Sequence, residues 1–583
     1  MAAIKMGRSR PARPLPSVIA LIYLVIGGCT SRPEPSGPQT LPPRNDVAAI
    51  TNRQFLSQQT FDPWILRTTD PARPVDVYLA DGWQGLLVRA DGSIAQTCRA
   101  GNYQHNTLVV EPAPARSAAL PAHPASYLQT LNLRTGVLTT TMKFSGAKAQ
   151  GDWNVRMSVV KAAERFWNGR DIRIEGDPEA QQVAHSNLFY LLSSTAPGSD
   201  HSIPPMGLSS NVYGGHIFWD ADVWMLPALI AQWPEYARSI IAYRMKTLPQ
   251  AKRNARKHGY QGAEFPWESA ATGQEVAPGE FARERHVTAG VAFAAWQFYL
   301  WTGDRAFLRQ QGWPLLQATA DYWASRVTKE ADGKYHIQGV LSPDETAGVL
   351  DDDAYTNAAA QYNLRAAVKA ARILGQPAPA LWTMVAEAMF LPFDTTRGIP
   401  APSAKPLTDR YKSKQAATLL LLHPLGLEYD AETRGRMLDF YAPHTIATGP
   451  AMTASIHAIL AAQLGRGPQS LDYFRDSYRP FMRAPWNAFS EKRTTQNVYF
   501  LTGMAGCTQS LLYGFAGLQA RLNGEKAAGT RVAGDAEASL YADPHLPPGW
   551  SRLVLQGLRF RGKILDLSIT PDNRVTVTPQ GRR

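Results

Sequence analysis

Two kinds of hydrophobic pattern divide the chain. Over residues 50–175, short runs alternate apolar and polar positions around Asp-Gly and Thr-Gly pairs, as in VDVYLADGWQGLLVRADGSI and YLQTLNLRTGVLTTTMKF. Alternation interrupted by such pairs is typical of antiparallel hairpins. We therefore predict an N-terminal β-rich, sandwich-like domain over 50–175. The same alternation returns near the end of the chain and predicts a small C-terminal β-layer over 540–583.

Helical periodicity replaces alternation between residues 178 and 525. Gly259, Gly303 and Gly375 stand where a helix C-cap requires positive φ, and Pro314 stands where a first turn tolerates proline. The segments carry no heptad and no fixed repeat length, which excludes a coiled coil and a solenoid of identical units. About a dozen helices suit helical hairpins closed into an (α/α)6 barrel, so the predicted fold class is mainly α. The predicted helices cover 222–232, 235–247, 249–258, 286–301, 314–328, 355–374, 377–390, 413–422, 431–441, 452–464 and 500–522.

The N-terminus has the layout of an export signal. Residues 1–29 combine a basic start with an apolar run too short to span a bilayer and end in VIGGC. This ending resembles the lipobox of bacterial lipoproteins, in which the cysteine, here Cys29, receives a lipid. Thr30 instead of aspartate favours the outer membrane, so we expect a lipid-anchored periplasmic protein. A plain cleaved signal and a short membrane anchor remain open alternatives. Residues 30–49 are rich in Pro and Ser and predict a flexible tether.

The composition restricts the partners and cofactors that can be expected. Of 583 residues, 44% are hydrophobic and 19% charged, which supports a large ordered core; the 15 tryptophans are a weak sign of carbohydrate binding. The formal charge of +12 falls to +8 without four leader cations, and the basic stretch Lys246–Lys257 has the spacing of one solvated helix face. Nucleic acid is therefore not an expected partner. Cofactor-free chemistry is expected, because no metal-ligand spacing and no phosphate-binding loop is present. Cys98 and Cys507 could pair, but nothing requires it.

Two polar, aromatic-rich connections precede the middle of the helical region. In GGHIFWDADVWMLPALI, Trp219 and Asp220 come just before an apolar helix; a carboxylate beside an indole suits hydrogen bonding to sugar hydroxyls. Asp222 in the same stretch fits the alternative of a first-turn acidic residue at a helix N-terminus. In GYQGAEFPWESAATGQE, Pro266 excludes a regular helix, and a loop with buried aromatic residues explains the stretch as well as a binding role does.

Two later connections carry candidate catalytic carboxylates. SPDETAGVLDDDAYTN holds five of them in ten residues, Glu345 included. A solvated acidic loop and a calcium site are alternatives, although the EF-hand spacing is not met. Crowded carboxylates also raise the pKa of any member withdrawn from water, which suits a general acid. In NAFSEKRTTQNVYFLTGMAG, Glu491 precedes a helix, and its local alternative is a surface ion pair with Lys492 or Arg493.

Six blocks in order resemble glycoside hydrolase family 65. They are FWDADVWMLP, GYQGAEFPWESA, SPDE with AYTN, KQAATLL, GPAMTASIHAI, and FSE with FLTGMAG, spanning about residues 200–520. The resemblance implies a β-sandwich, an (α/α)6 barrel and a C-terminal β-layer, with an N-terminal domain shorter than is usual. It implies that Glu345 is the general acid. Its substrate-binding residues map to Trp219, Asp220, Trp267, Glu268, Lys414 and Gln415.

The resemblance also separates hydrolases from phosphorylases. The hydrolase pattern is similar to Ser490-Glu491 followed by FLTGMAG, which makes Glu491 the general base. Ser342 and Thr346 depart from the residues usual beside the acid, and Asp222 stands where Glu is common. We expect an exported inverting α-glucosidase that hydrolyses an α-linked glucosyl disaccharide or glucosylated glycan. A phosphorylase of the same family and a non-catalytic glycan-binding lipoprotein are the alternatives.

Overall fold

The computed structural model describes residues 61–72, 75–113, 124–144, 151–157 and 163–580. The predicted leader 1–29 with Cys29 and the predicted tether 30–49 lie outside these residues. Within the described part, no helix combines the length and the apolar character needed to cross a membrane.

Two four-stranded antiparallel sheets form the N-terminal part. Strand order is β1-β6-β7-β8 in one sheet and β2-β3-β4-β5 in the other. The Asp-Gly and Thr-Gly pairs lie at turns, where Gly82, Gly92 and Gly136 adopt φ of 85°, 79° and 67°. The predicted hairpins are therefore confirmed. The strands are β1 (Ile65–Thr68), β2 (Val77–Ala80), β3 (Gln84–Val88), β4 (Ile94–Gln104), β5 (Thr107–Pro112), β6 (Ser126–Asn132), β7 (Val137–Phe144) and β8 (Gly151–Met157).

A short helix and one strand lead into the helical region. They are α1 (Ala163–Trp167) and β9 (Asp171–Glu175). β9 lies within the range predicted for the N-terminal domain, but it pairs with β21 (Arg552–Phe560) of the C-terminal part. Ile172 and Ile174 of β9 are buried there. The strand that precedes the helical region and the strands that end the described chain are thus joined in one sheet.

The central region is helical, as predicted. The helices are α2 (Pro178–Ser193), α3 (Leu226–Ile230), α4 (Pro234–Lys257), α5 (Val287–Thr302), α6 (Arg305–Phe307), α7 (Trp313–Arg326), α8 (Ala354–Leu374), α9 (Ala380–Glu387), α10 (Ala431–Tyr441), α11 (Thr453–Gln463), α12 (Gly467–Asp476) and α13 (Leu501–Gln509). Helix α2 packs against α13, so the two ends of the region meet, which is consistent with a helical barrel. Six of its largest fully buried side chains are tryptophans, so much of the Trp excess belongs to the core.

The predicted helix signals hold at several ends. Gly303 and Gly375 are left-handed C-caps with φ of 64° and 65°, Gly259 has φ 82°, and Pro314 lies in the first turn of α7. All five Lys and Arg residues of the basic stretch 246–257 lie at exposed positions of α4, as its spacing predicts.

Three helix predictions are wrong in detail. Segments 235–247 and 249–258 form one helix, since α4 continues through Pro249. Segment 413–422 holds only a 3₁₀ turn at Thr418–Leu421, because the backbone at Ser413 pairs with Thr445. Segment 500–522 ends in a π-helical turn (Ser510–Phe515) and then β18.

The remaining strands are short hairpins in the helical region and two C-terminal sheets. The C-terminal sheets have the orders β18-β20-β19 and β23-β22-β21-β9. The hairpin strands are β10 (Thr328–Lys329), β11 (Tyr335–His336), β12 (Val340–Leu341), β13 (Val349–Leu350), β14 (Phe393–Asp394), β15 (Ile399–Pro400), β16 (Met482–Arg483) and β17 (Ala488–Phe489). The C-terminal strands are β18 (Leu518–Leu522), β19 (Thr530–Gly534), β20 (Ala538–Ala542), β21, β22 (Lys563–Ile569) and β23 (Val575–Pro579).

The cysteines have no role in holding these parts together. Cys98 in β4 and Cys507 in α13 are both buried free thiols. Burial raises the pKa of each thiol to about 12, so neither is a ready nucleophile.

Candidate active site

The site gathers on connections that precede or follow helices. Asp220 opens a π-helical turn (Asp220–Met225) that leads into α3, and Glu345 opens a 3₁₀ turn (Glu345–Ala347) between β12 and β13. Glu491 follows β17, ten residues before α13. The segments come from distant parts of the sequence, yet the carboxylates of Glu345 and Glu491 both act electrostatically on Asp220 and on the Tyr213 hydroxyl.

Glu491 is buried and fixed by neutral donors. Its residue is only 7% exposed. The Tyr213 hydroxyl donates to Glu491 Oε2 at 2.5 Å, and Asn497 Nδ2 donates to the same oxygen at 2.7 Å. The alternative of a surface ion pair is therefore wrong. Tyr213 and Asn497 were missed by the sequence analysis; the Gly-Gly pair after Tyr213 was the one available sign of an unusual turn.

Glu345 has a cationic neighbour instead. The ammonium of Lys414 forms an ion pair with Glu345 Oε2, and both side chains are about one-fifth exposed. The backbone N–H of Lys414 donates to Asp344 Oδ1 at 2.9 Å, and Gln415 Nε2 donates to the carbonyl of Pro343. The KQA segment is thus held against the loop that carries Glu345, and this contact replaces the helix predicted at 413–422.

The other carboxylates of the acidic loop have structural partners. Asp351 accepts from the N–H of Gly339, Asp352 pairs with His336 at 2.7 Å, and Asp353 caps α8 through Thr356. Burial raises the pKa of Asp353. Across the described residues, no group of His, Cys, Asp and Glu is arranged to hold a metal ion, so the calcium alternative finds no support there.

Asp220 is a carboxyl of the site whose pKa is raised. Burial, reinforced by the charges of Glu491 and Glu345, raises the pKa of Asp220 to about 7. The Thr502 hydroxyl donates to Asp220 Oδ2 at 2.5 Å and opposes this shift. The rise in pKa expected for a carboxyl withdrawn from water is therefore found within the acidic loop at Asp353 and outside it at Asp220.

The predicted tryptophans form one aromatic cluster with a buried acid–imidazole pair. Trp219 lies 6.3 Å from Trp267 and 4.8 Å from His286, measured between ring centroids. His286 Nε2 and Glu284 Oε2 are 2.9 Å apart, and both side chains are fully buried. Burial lowers the pKa of His286 to about 3 and, with the charge of Glu345, raises the pKa of Glu284 well above its usual range. Burial thus disfavours the charged form of each group, and one hydrogen bond joins the two side chains.

Glu268 is joined to the N-terminal sheet through a histidine. His216 Nδ1 contacts Glu268 Oε2 at 2.8 Å, and His216 Nε2 contacts the carbonyl of Asn106, between β4 and β5, at 2.7 Å. The N–H groups of Trp267 and Glu268 donate to the carboxylate of Glu275. As Pro266 predicts, this stretch is not helical; its loop conformation is fixed by these bonds.

Asp222 does not act as a helix cap. Its carboxylate and the guanidinium of Arg244 in α4 form an ion pair, with a closest distance of 2.5 Å and side chains 0% and 1% exposed. Arg244 Nη2 also donates to the carbonyl of Phe218 at 2.8 Å. Asp222 thus lies in the first turn of the helical segment, as the alternative states, and its carboxylate also anchors the FWDAD segment to α4.

Two family models match parts of this chain. The model of the glycosyl hydrolase family 65 central catalytic domain matches residues 185–411, and that of the family's C-terminal domain matches 535–581. The first match ends before Lys414 and Glu491. A solved structure from the human microbiome that carries the name kojibiose phosphorylase superposes with a TM-score of 0.71 at 15% identity, covering 89% of this chain and 96% of that one. This likeness concerns the fold alone.

Curated relatives are more similar in sequence. A kojibiose hydrolase of Mucilaginibacter mallensis is 42% identical over 65% of this chain and 56% of the relative. A second kojibiose hydrolase, of Flavobacterium johnsoniae, is 39% identical over 69% and 58%. A protein-glucosylgalactosylhydroxylysine glucosidase of Gallus gallus is 36% identical over 73% and 60%. The chain thus spans less than two thirds of the length of these relatives. Its two matched domains and these similarities show that the chain belongs to glycoside hydrolase family 65.

Proposed function

We propose that the chain is an inverting α-glucosidase that hydrolyses an α-linked glucosyl disaccharide, with kojibiose the first candidate. The observation that carries this proposal is the pairing of two carboxylates with different surroundings around Asp220 and Tyr213. The names of the two bacterial relatives support hydrolysis and suggest the substrate.

The reaction divides between the two glutamates. Glu345 donates its proton to the glycosidic oxygen as the bond from C1 to that oxygen breaks. A water oxygen bonds to C1 from the opposite face, and Glu491 takes the water's proton. The anomeric configuration inverts, and both glutamates return to their starting states by exchanging protons with solvent.

Lys414 accounts for how Glu345 becomes an acid. In the unliganded site its ammonium is in contact with Glu345 Oε2, whereas a general acid must carry a proton and contact the glycosidic oxygen. We propose that a hydroxyl of the bound sugar accepts a hydrogen bond from Lys414. The ion pair between Lys414 and Glu345 is then lost, and Glu345 is free to take up a proton. Trp219, Asp220, Trp267, Glu268 and Gln415 would complete the glucose site, with the buried His286 packed against both indoles.

The test is product analysis on purified protein. Kojibiose is incubated with and without inorganic phosphate, and the first product anomer is followed by proton NMR. Hydrolysis to β-glucose plus glucose, independent of phosphate, is the expected result. Retention of the α-anomer would contradict inversion, phosphate-dependent glucose 1-phosphate would identify a phosphorylase, and no turnover of any α-glucosyl disaccharide would favour the non-catalytic alternative.

Two further proposals concern the rest of the chain. The leader and Cys29 support export and lipid anchoring at the outer membrane, and substitution C29S with detergent phase partitioning tests this: loss of partitioning is expected. The helical region, with α2 against α13, supports an (α/α)6 barrel, and the two N-terminal sheets support a sandwich.

A further inference from the structure

Both hydrogen-bond donors of Glu491 converge on one of its oxygens. Tyr213 Oη lies 2.5 Å and Asn497 Nδ2 lies 2.7 Å from Oε2. Within the described part of the chain, no hydrogen bond reaches Oε1. A carboxylate with one oxygen saturated in this way has a defined orientation and one oxygen left to accept a proton.

The backbone at Tyr213 is specialised for this contact. Tyr213 has φ 56° and ψ 34°, and Gly214 and Gly215 follow with φ of 63° and 64°. A tyrosine in the left-handed region is strained and persists only where its surroundings hold it. Such strain next to a candidate base motivates a functional explanation.

The surroundings that hold Tyr213 come from the β4–β5 hairpin. The Tyr103 hydroxyl donates to the carbonyl of Gly215 at 2.6 Å, and His216 is bonded to Asn106 at 2.7 Å. A Cβ on Gly215 would lie 2.4 Å from Leu108 Cβ of β5. The turn therefore fits between the hairpin and the site with no space for a side chain.

The Tyr213 hydroxyl remains a donor at every working pH. Burial, followed by the charge of Glu491, raises the pKa of Tyr213 well above its usual value. The residue is 41% exposed overall, but its hydroxyl points inward, and its ring packs 5.9 Å from Phe218. Phe218 is bonded in turn through its carbonyl to Arg244.

We propose that Tyr213 and Asn497 are positioning residues that saturate Oε2 of Glu491 and reserve Oε1 for the attacking water, and that the β4–β5 hairpin sets this geometry. The proposal rests on the proposed role of Glu491 as general base. It assigns to the N-terminal sheets a part in water activation, acting through the strained turn at Tyr213.

The experiment compares Y213F, N497A and the double variant, with kojibiose and α-glucosyl fluoride as substrates. Each single variant should lower kcat by about 10- to 100-fold, the range for loss of one hydrogen bond to a charged group, with KM changed less than about threefold. The acid limb of the kcat profile should move to higher pH, because a carboxylate that loses donors is protonated more easily. Y103F should show the same changes at a smaller size.

The matched control is Y541F, in β20 of the C-terminal sheet, which should leave kcat and the pH profile unchanged. Melting temperatures separate misfolding from misplacement, and N497S provides a milder variant if N497A does not fold. Wild-type kcat and an unmoved acid limb in Y213F and N497S, with E491Q inactive, would overturn this proposal and leave the proposed function intact. Full activity of E491Q would instead remove Glu491 as base, and the positioning role with it.

Discussion

The two candidate catalytic glutamates are held in opposite ways. Glu491 is buried and receives two hydrogen bonds from neutral groups, whereas Glu345 is partly exposed and contacts a cation. Neutral donors fix a carboxylate without removing its ability to take up a proton, while an ammonium favours the charge itself. Under the proposed mechanism, the base is in its working arrangement before substrate binds, whereas the acid must first lose its contact with Lys414.

The largest expected effect comes from removing the base. E491Q should lower kcat by about 10²–10⁴-fold on kojibiose and by a similar factor on α-glucosyl fluoride, since water attack limits both. Stopped assays on both substrates measure this. A loss of activity on kojibiose alone would mean that Glu491 protonates the leaving group. It would then be the general acid and not the general base.

Removing the acid should separate the two substrates. E345Q should lower kcat on kojibiose by about 10²–10⁴-fold but change the rate on α-glucosyl fluoride by less than about tenfold, because fluoride needs little protonation to leave. The same assays serve as the check, with E491Q as the reference. Equal losses on both substrates would exclude Glu345 as the proton donor.

Asp220 connects the two glutamates, because the charges of both raise its pKa. Its pKa is raised from 3.8 to about 7, so the carboxyl binds its proton more tightly in the folded state. The associated stability is fully present below about pH 4 and is lost as the pH rises to about 7; three pKa units correspond to at most about 4 kcal/mol.

Chemical denaturation of wild type and D220N between pH 4 and 8 tests this. In wild type, the free energy of unfolding should fall between pH 4 and 8 by the amount that Asp220 contributes, and D220N should lack this fall. T502V, which removes only the neighbouring hydroxyl, is the control. Parallel pH profiles for wild type and D220N would show that Asp220 is ionised throughout.

The smallest expected effect is at Lys414. K414M should raise KM for kojibiose by roughly tenfold, the loss of one charge-assisted bond. It should also move the basic limb of the kcat/KM profile to higher pH, because a carboxyl without a neighbouring cation keeps its proton longer. K412M, two residues earlier on an exposed side chain, is the control. If the basic limb does not move, Lys414 does not influence the protonation of Glu345.

The sequence analysis located the segments of the site better than their contacts. The order of the motifs selected Glu345, Glu491, Trp219 and Asp220, and the structure brings the two glutamates within electrostatic reach of Asp220. Tyr213 was missed, since a hydrogen bond across 278 residues has no local signature. Asn497 is only six residues from Glu491, but it lies in an irregular segment where spacing does not indicate which side chains meet.

Helix ends marked by glycine and the hairpins were predictable for the same local reason. The conformation at 413–422 was not, because bonds to Asp344 and to the backbone near Thr445 override its apolar spacing there. Pro249 shows the converse, since α4 continues through a residue that usually ends a helix.

The position of β9 has a consequence for synthesis. Ile174 pairs with Leu553, about 380 residues later in the chain. At 5–20 residues per second, β9 leaves the ribosome roughly 20–80 s before its partner strand exists. During that interval its edge has no native neighbour, so the nascent chain carries an open strand while the helical region is translated. Completion of the last strands is therefore the step that closes the sheet.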